Sequence, residues 1–125
     1  MKKIISTKKA PDAIGPYNQG IVAGGFLFTS GQLPINPETG NVPESIEALT
    51  IQVLEKLKAI IEEAGSSLDK VVKCTVYLTN FDDFPVMNSI YATYFTNNQP
   101  ARATVEITKL AKGAIVEIDA IAVVE

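Results

Sequence analysis

"AIVEIDAIAVV", residues 114–124, has the alternating pattern of a β-strand, yet both of its faces are largely apolar. One face consists of Val116, Ile118, Ala120, Ala122 and Val124. On the other face, aliphatic side chains surround the carboxylates of Glu117 and Asp119. A strand that is apolar on both faces needs cover on both faces, so this segment predicts a sheet that is buried from two sides.

The segments before it predict further strands and two helices, which is an α+β pattern. Strands are expected in "KKIIST" (residues 2–7), at residues 21–23 and 26–30 around a Gly24-Gly25 turn, and at residues 71–79 and 102–108. Helical periodicity covers residues 44–64, with Gly65 as a stop signal. A second helix follows the N-cap candidates at residues 80–83, and its apolar face consists of Phe84, Met87, Tyr91, Tyr94 and Phe95. The segment "GQLPINPETGNVP", residues 31–43, is turn-rich.

Two helices can cover only one face of a sheet of five or six strands. The chain has no further element for the other face, so we expect that face to form an oligomer interface. Glu117 and Asp119 would then lie at or beside a subunit boundary.

Composition limits the possible classes of protein. A chain of 125 residues that is 46% hydrophobic predicts one domain spanning residues 1–125. The net charge of −3 argues against nucleic acid or an anionic membrane as the main partner. The only apolar run near the N-terminus is Ile4-Ile5, too short for a signal peptide, so we expect a cytoplasmic protein.

The inventory of reactive side chains is sparse. The chain has no histidine, which excludes Ser-His-Asp catalysis and histidine-based metal sites. Its single cysteine, Cys74, shares a face with Val72, Val76 and Leu78, which favours a buried core thiol over a reactive one. Proton transfer would therefore use Glu, Asp, Tyr, Lys or water, and no metal or cofactor is expected.

"PARATVEI", residues 100–107, places Arg102 between two small alanines on a predicted strand. If the last two strands form a hairpin with an even-numbered loop, Arg102 shares a face with Glu117 and Asp119. An odd-numbered loop would separate them. The pattern fits either a cross-strand ion pair that fixes the sheet or an arginine that binds a ligand.

Two segments of the N-terminal half offer other polar groups for a site. "GPYNQG", residues 15–20, joins a Gly-Pro turn to the hydroxyl of Tyr17 and two amides. "TSGQ", residues 29–32, ends a strand with the backbone donors of Ser30 and Gly31, where glycine allows a ligand to approach closely. Both segments are also ordinary turn sequences.

Taken together, five segments resemble the RidA (YjgF) family of reactive-intermediate deaminases. They are "APDAIGPYNQGI", "GFLFTSGQLPINPETG", "KCTVYLTNFDDFPVMNSIYATYF", "PARATVEI" and "GAIVEIDAIAV", and they run through almost the whole chain in order. The resemblance implies the fold of Bacillus-type chorismate mutase, a mixed sheet backed by two helices on one face. It also implies a homotrimer, with the sheets joined into a barrel and the active sites in the clefts between subunits.

The resemblance further implies hydrolysis of 2-imino acids, such as 2-iminobutanoate and 2-iminopropanoate, to 2-oxo acids and ammonia. Arg102 matches the family arginine that binds the substrate carboxylate, and Glu117 matches the acid that holds the hydrolytic water. Gly31 would add a backbone donor. The remaining matched positions along the cleft are Tyr17, Ser30, Asn88 and Thr104.

Thr104 departs from the family pattern, because many members carry Cys at this position. The family uses mainly the backbone of that residue, so we expect activity without the thiol. Two alternatives stay open: a non-catalytic metabolite-binding or regulatory trimer that holds 2-oxo acids, and a chorismate mutase. A chorismate mutase would need more cationic groups than the one arginine of this candidate cleft. A ribonuclease is disfavoured by the negative net charge and the absence of histidine.

Overall fold

The computed structural model describes residues 1–34 and 45–124. Its strands are β1 (Lys3–Ile5), β2 (Gly20–Ala23), β3 (Phe26–Thr29), β4 (Val71–Leu78), β5 (Ala101–Glu106) and β6 (Val116–Val123). Its helices are α1 (Ile46–Glu63) and α2 (Phe84–Tyr94), and single 3₁₀ turns lie at Leu68–Lys70, Phe81–Asp83 and Ala111–Gly113. The predicted strands and helices are therefore present. Parts of the predicted turn-rich segment 31–43 and of the first predicted helix fall on residues 35–44 and lie outside the described residues.

The six strands form one sheet in the order β1-β2-β3-β6-β4-β5. All neighbours are antiparallel except β4 and β5, which are parallel and are connected through α2. The expected α+β fold, a mixed sheet backed by two helices, is confirmed.

The expectation that β5 and β6 could form a hairpin is wrong. β4 lies between them and pairs with both, in parallel with β5 and antiparallel with β6. The physical reason is the α2 crossover, which places β5 in parallel beside β4 at the edge of the sheet, while β6 lies between β3 and β4.

Local signals in the sequence explain where the elements begin and end. Gly24 and Gly25 have positive φ values of 60° and 82° in the two-residue β2–β3 turn, a conformation that glycine adopts without strain. The Ser45 hydroxyl accepts a hydrogen bond from the backbone N–H of Ala48 at 3.1 Å and caps the start of α1. At the other end of α1, Gly65 has a φ of 80° and its N–H donates to the Glu62 carbonyl.

The core lies between the two helices and one face of the sheet. Fully buried members include Val53, Leu57, Ile60, Met87, Cys74, Val76, Leu78, Val116 and Ile118. Along β6, buried residues alternate with half-buried ones, so the all-apolar face of this strand meets the helices. Cys74 belongs to this core, where burial raises the pKa of its thiol to about 11, and the expectation of a buried thiol is confirmed.

The opposite face of the sheet carries exposed apolar side chains. Ile4, Phe26, Phe28 and Val105 are each at least 40% exposed in the single chain. The register joins the Ile4, Ile21, Phe28 and Ile121 positions in one row across four strands. Among the described residues, no helix is long and apolar enough to cross a membrane.

Candidate active site

The register of the sheet places Arg102 on the face that the helices cover. Cys74 pairs with Arg102 on one side and with Ala120 on the other, and paired residues point to the same face. The guanidinium therefore meets α2, where its Nη1 donates to Oδ1 of Asn88 at 2.8 Å. Two predicted site residues, Arg102 and Asn88, are in this way brought together.

Two aromatic rings of α2 complete the surroundings of this guanidinium. Its central carbon lies 4.7 Å from the centroid of the Tyr91 ring and 5.6 Å from that of Phe84. Sequence reasoning assigned both rings only to the apolar face of the helix. Asn88 lies four residues after Phe84 and three residues before Tyr91, so all three side chains lie on one side of a helix. This spacing is the signal that could have identified the two rings as neighbours of the site.

Thr104 lies two residues along β5 from Arg102, on the same face. Its hydroxyl oxygen is buried and has no hydrogen-bond partner among the described residues. Arg102, Asn88 and Thr104 thus form one group of predicted site residues, which we call the arginine group.

Glu117 lies on the opposite face of the sheet, where it pairs with Tyr77 of β4. Asp119, two residues along β6, accepts a hydrogen bond from the Tyr77 hydroxyl at 3.2 Å. Burial raises the pKa of Glu117, and the negative charge of Asp119 raises it further. Burial also raises the pKa of Asp119, although the hydrogen bond from Tyr77 opposes that shift. Both are suited to proton exchange at a higher pH than ordinary carboxyl groups.

Gly31 lies directly against Glu117. A Cβ atom built on Gly31 would overlap the carboxylate of Glu117, so only glycine leaves that carboxylate where it is. The neighbouring Gln32 fixes this approach, because its N–H donates to the Ile118 carbonyl at 2.9 Å.

Tyr17 and Gly31 share a groove of about 290 Å³ with Ile14, Leu33 and Lys112. Tyr17 itself is 52% exposed. We call Glu117, Gly31 and Tyr17 the carboxylate group.

The Ser30 hydroxyl donates to the Asn18 carbonyl at 2.5 Å, so it fastens the segment that carries Tyr17. Its place along the cleft stays a prediction. Gln19 also fastens this segment. It is buried, and its side-chain amide forms hydrogen bonds with the backbone of Thr7, Ala10 and Pro11. The sequence did not distinguish Gln19 from the other amide of its segment.

A single copy of the chain does not bring the arginine group and the carboxylate group together. Arg102 and Glu117 point to opposite faces of the sheet. Gly31 follows β3 and Arg102 lies on β5, with β6 and β4 in between, which is about 14 Å at the usual strand spacing of about 4.8 Å. The cross-strand ion pair considered for Arg102 with Glu117 or Asp119 is excluded by the same register.

Comparison with known proteins identifies the family. The family model described as endoribonuclease L-PSP matches residues 7–124. The chain belongs to this family. Its members include the YjgF gene product of Escherichia coli, whose crystal structure matches this chain with a TM-score of 0.92 and 45% identity over 97% of this chain and 98% of the other. The RidA (YjgF) resemblance drawn from the sequence is thereby confirmed.

Other RidA-family relatives are similar over nearly their whole length. A 2-iminobutanoate/2-iminopropanoate deaminase of Escherichia coli is 45% identical over 126 residues, covering 98% of both chains. A RutC family protein of Pyrococcus horikoshii is 52% identical over 123 residues, again covering 98% of both chains. The crystal structure of Escherichia coli TdcF with bound serine matches with a TM-score of 0.94 and 42% identity, over 98% of this chain and 99% of the other.

Proposed function

We propose that this protein is a deaminase that hydrolyses reactive 2-imino acids, such as 2-iminobutanoate and 2-iminopropanoate, to 2-oxo acids and ammonia. The observation that carries the proposal is the state of Arg102. Within residues 1–34 and 45–124, its guanidinium is held by an amide and two rings, and no carboxylate pairs with it. A cation arranged in this way is available for the carboxylate of a substrate.

Each proposed residue has a defined part in the reaction. Arg102 binds the substrate carboxylate, and the backbone of Gly31 and Thr104 orients the imine. Glu117 holds a water molecule against C2 of the iminium and takes a proton as the water oxygen bonds to that carbon. Glu117 then returns that proton to the nitrogen. As the C–N bond breaks, Glu117 takes the proton of the C2 hydroxyl, and the electron pair of that O–H bond completes the carbonyl. Glu117 passes this second proton to the departing ammonia and is again a carboxylate. One carboxylate thus acts first as base and then as acid.

The raised pKa of Glu117 supports this double role. A carboxyl group is most useful as a proton carrier when its pKa approaches the working pH. Burial and the charge of Asp119 both shift Glu117 in that direction.

The separation of the arginine group from the carboxylate group supports an oligomer of this chain. We propose a homotrimer in which Arg102 of one copy faces Glu117 of the next, because one copy holds these side chains on opposite faces of its sheet. The exposed aliphatic and aromatic side chains on the uncovered face would be buried by the same contact. The active sites would then lie in the clefts between subunits.

The proposed partners are small 2-imino and 2-oxo acids, without nucleic acid or membrane. Because such imines are released by pyridoxal-phosphate enzymes that act on amino acids, we propose the cytoplasm as the compartment. The net charge of −3 gives no support to RNA as a substrate, in spite of the description that the family model carries.

A coupled assay tests the proposal. Threonine dehydratase generates 2-iminobutanoate, a semicarbazide trap competes for it, and the formation of 2-oxobutanoate is followed with and without this protein. We expect faster 2-oxobutanoate formation and less trapped imine. Binding of 2-oxobutanoate without any acceleration would favour the non-catalytic metabolite-binding trimer, and neither binding nor acceleration would contradict the proposed function.

A further inference from the structure

Three side chains of α2 converge on one cation. Phe84, Asn88 and Tyr91 occupy positions i, i+4 and i+7, which place them along one side of the helix. All three meet the Arg102 guanidinium of β5, Asn88 through its amide oxygen and the other two through their rings. An entire stripe of the helix is therefore directed at one side chain.

The three contacts restrict different motions of the guanidinium. The 2.8 Å hydrogen bond from Nη1 to Asn88 fixes its rotation. The Tyr91 ring at 4.7 Å and the Phe84 ring at 5.6 Å attract the positive charge and limit the position of the group. Among the described residues, Asn88 is the sole hydrogen-bond acceptor for this guanidinium, so its remaining N–H groups stay available.

The two rings are themselves held by other rings. Phe84 stacks on Phe81 with centroids 5.1 Å apart and planes only 5° from parallel. Tyr91 is 6% exposed and packs against Phe95 at 4.6 Å. Because these neighbours limit movement of the rings, the contacts constrain Arg102 rather than merely follow it.

We propose that Phe84 and Tyr91 are positioning residues which, with Asn88, orient Arg102 for the substrate carboxylate. This inference rests on the proposed function of Arg102. A guanidinium on a flexible stem loses conformational freedom when it binds a carboxylate through two parallel hydrogen bonds. The rings and the amide impose that restriction before the substrate arrives, so they increase substrate affinity without touching the substrate.

Asn88 lies beside Arg102 in a pocket of about 370 Å³, and its amide oxygen accepts the hydrogen bond from the guanidinium. Its predicted place along the cleft stays a prediction, and in this proposal it also serves the substrate through the arginine.

The test compares Phe84→Leu, Tyr91→Leu and Tyr91→Phe in the intact protein. Loss of one ring should weaken binding of 2-oxobutanoate, measured by calorimetry, and raise KM by roughly three- to thirtyfold, with kcat changed much less. Tyr91→Phe should retain wild-type affinity, since it keeps the ring. It removes only a buried hydroxyl that interacts with the Cys74 thiol and makes no hydrogen bond to the guanidinium.

Tyr94→Leu is the matched control. It makes the same aromatic-to-leucine exchange on α2, at a ring whose hydroxyl donates to Glu55 and which is not one of the two rings over the guanidinium. Affinity in this variant should stay within about twofold of the wild type. Phe84 is only partly buried, so Phe84→Leu keeps the test usable if Tyr91→Leu does not fold.

The outcomes separate this inference from the proposed function. If the wild type neither binds 2-oxobutanoate nor hydrolyses the imine, the proposed function fails. If the wild type does both and Phe84→Leu lowers the melting temperature while affinity and KM stay unchanged, the rings only pack the core and the positioning role is wrong.

Discussion

At the scale of single residues, Arg102 is the side chain on which the account depends. Its contacts come from an amide and two rings, so its charge is not neutralised within one described chain. The identity of this residue could be inferred from "PARATVEI" and the family resemblance. The face of the sheet on which Arg102 lies could not be inferred from the sequence, because the register between β5 and β6 is set by β4, which pairs with both strands.

Arg102→Ala should abolish measurable imine hydrolysis while the melting temperature changes little. A charge-assisted hydrogen bond to a bound carboxylate contributes about 1.5–3 kcal/mol, and loss of the bidentate geometry also leaves the substrate misoriented. Arg102→Lys should recover only part of the activity, because an ammonium group cannot form the two parallel bonds. Melting and turnover are measured on the same preparations. A destabilised but fully active alanine variant would show that Arg102 is structural.

Glu117→Gln separates chemistry from binding. The amide nearly preserves the shape of the side chain but cannot carry the proton, so turnover should fall by at least about 10²-fold. Affinity for 2-oxobutanoate, measured by calorimetry, should stay within a few-fold of the wild type. Imine hydrolysis at the wild-type rate would remove Glu117 from the mechanism.

The pH dependence of kcat/KM tests the pKa of Glu117. Its reactive form is the carboxylate, so activity should fall as the pH drops below its pKa. Because burial and Asp119 raise that pKa, the fall should occur at a higher pH than for an ordinary glutamate. Asp119→Asn removes one of the two causes and should move the acid limb to lower pH. If the acid limb of the kcat/KM profile does not move in this variant, the charge of Asp119 does not raise the pKa of Glu117.

At the scale of elements, local signals predicted the fold well. The Gly24-Gly25 turn, the Gly65 stop and the periodicity of both helices are properties of neighbouring residues. The order of the strands depends on contacts between distant segments, and the β5–β6 pairing considered from the sequence was therefore wrong. The close approach of Gly31 to Glu117 joins the end of β3 to the start of β6 and is equally invisible in a local pattern.

Gly31→Ala tests that close approach. The backbone of Gly31 is outside the left-handed region, so alanine brings no backbone strain. Its methyl group would displace the carboxylate of Glu117, the mobile end of a flexible side chain. We therefore expect kcat to fall roughly tenfold or more while the melting temperature changes little. Unchanged kcat would mean that the observed position of Glu117 is not the one used in catalysis.

At the scale of the whole molecule, the sheet separates the two groups that the reaction needs. Arg102 and Glu117 lie on opposite faces of the sheet in one copy, and no helix within residues 1–34 and 45–124 covers the apolar face that carries Glu117. The uncovered face was predicted from the two-sided pattern of residues 114–124. The sequence did not predict that Arg102 and Glu117 lie on opposite faces of the sheet, because this depends on the complete register of the sheet.

Hybrid oligomers test directly whether the imine is hydrolysed between Arg102 of one copy and Glu117 of another. Arg102→Ala and Glu117→Gln chains are co-expressed with two different tags, and oligomers that carry both tags are purified and assayed. In a mixed homotrimer about one site in three combines an intact Arg102 with an intact Glu117. The hybrids should therefore show about a third of the wild-type activity per trimer, whereas each variant alone is nearly inactive. Hybrids as inactive as both parents, beside a fully active wild type with the same tags, would contradict a site shared between copies.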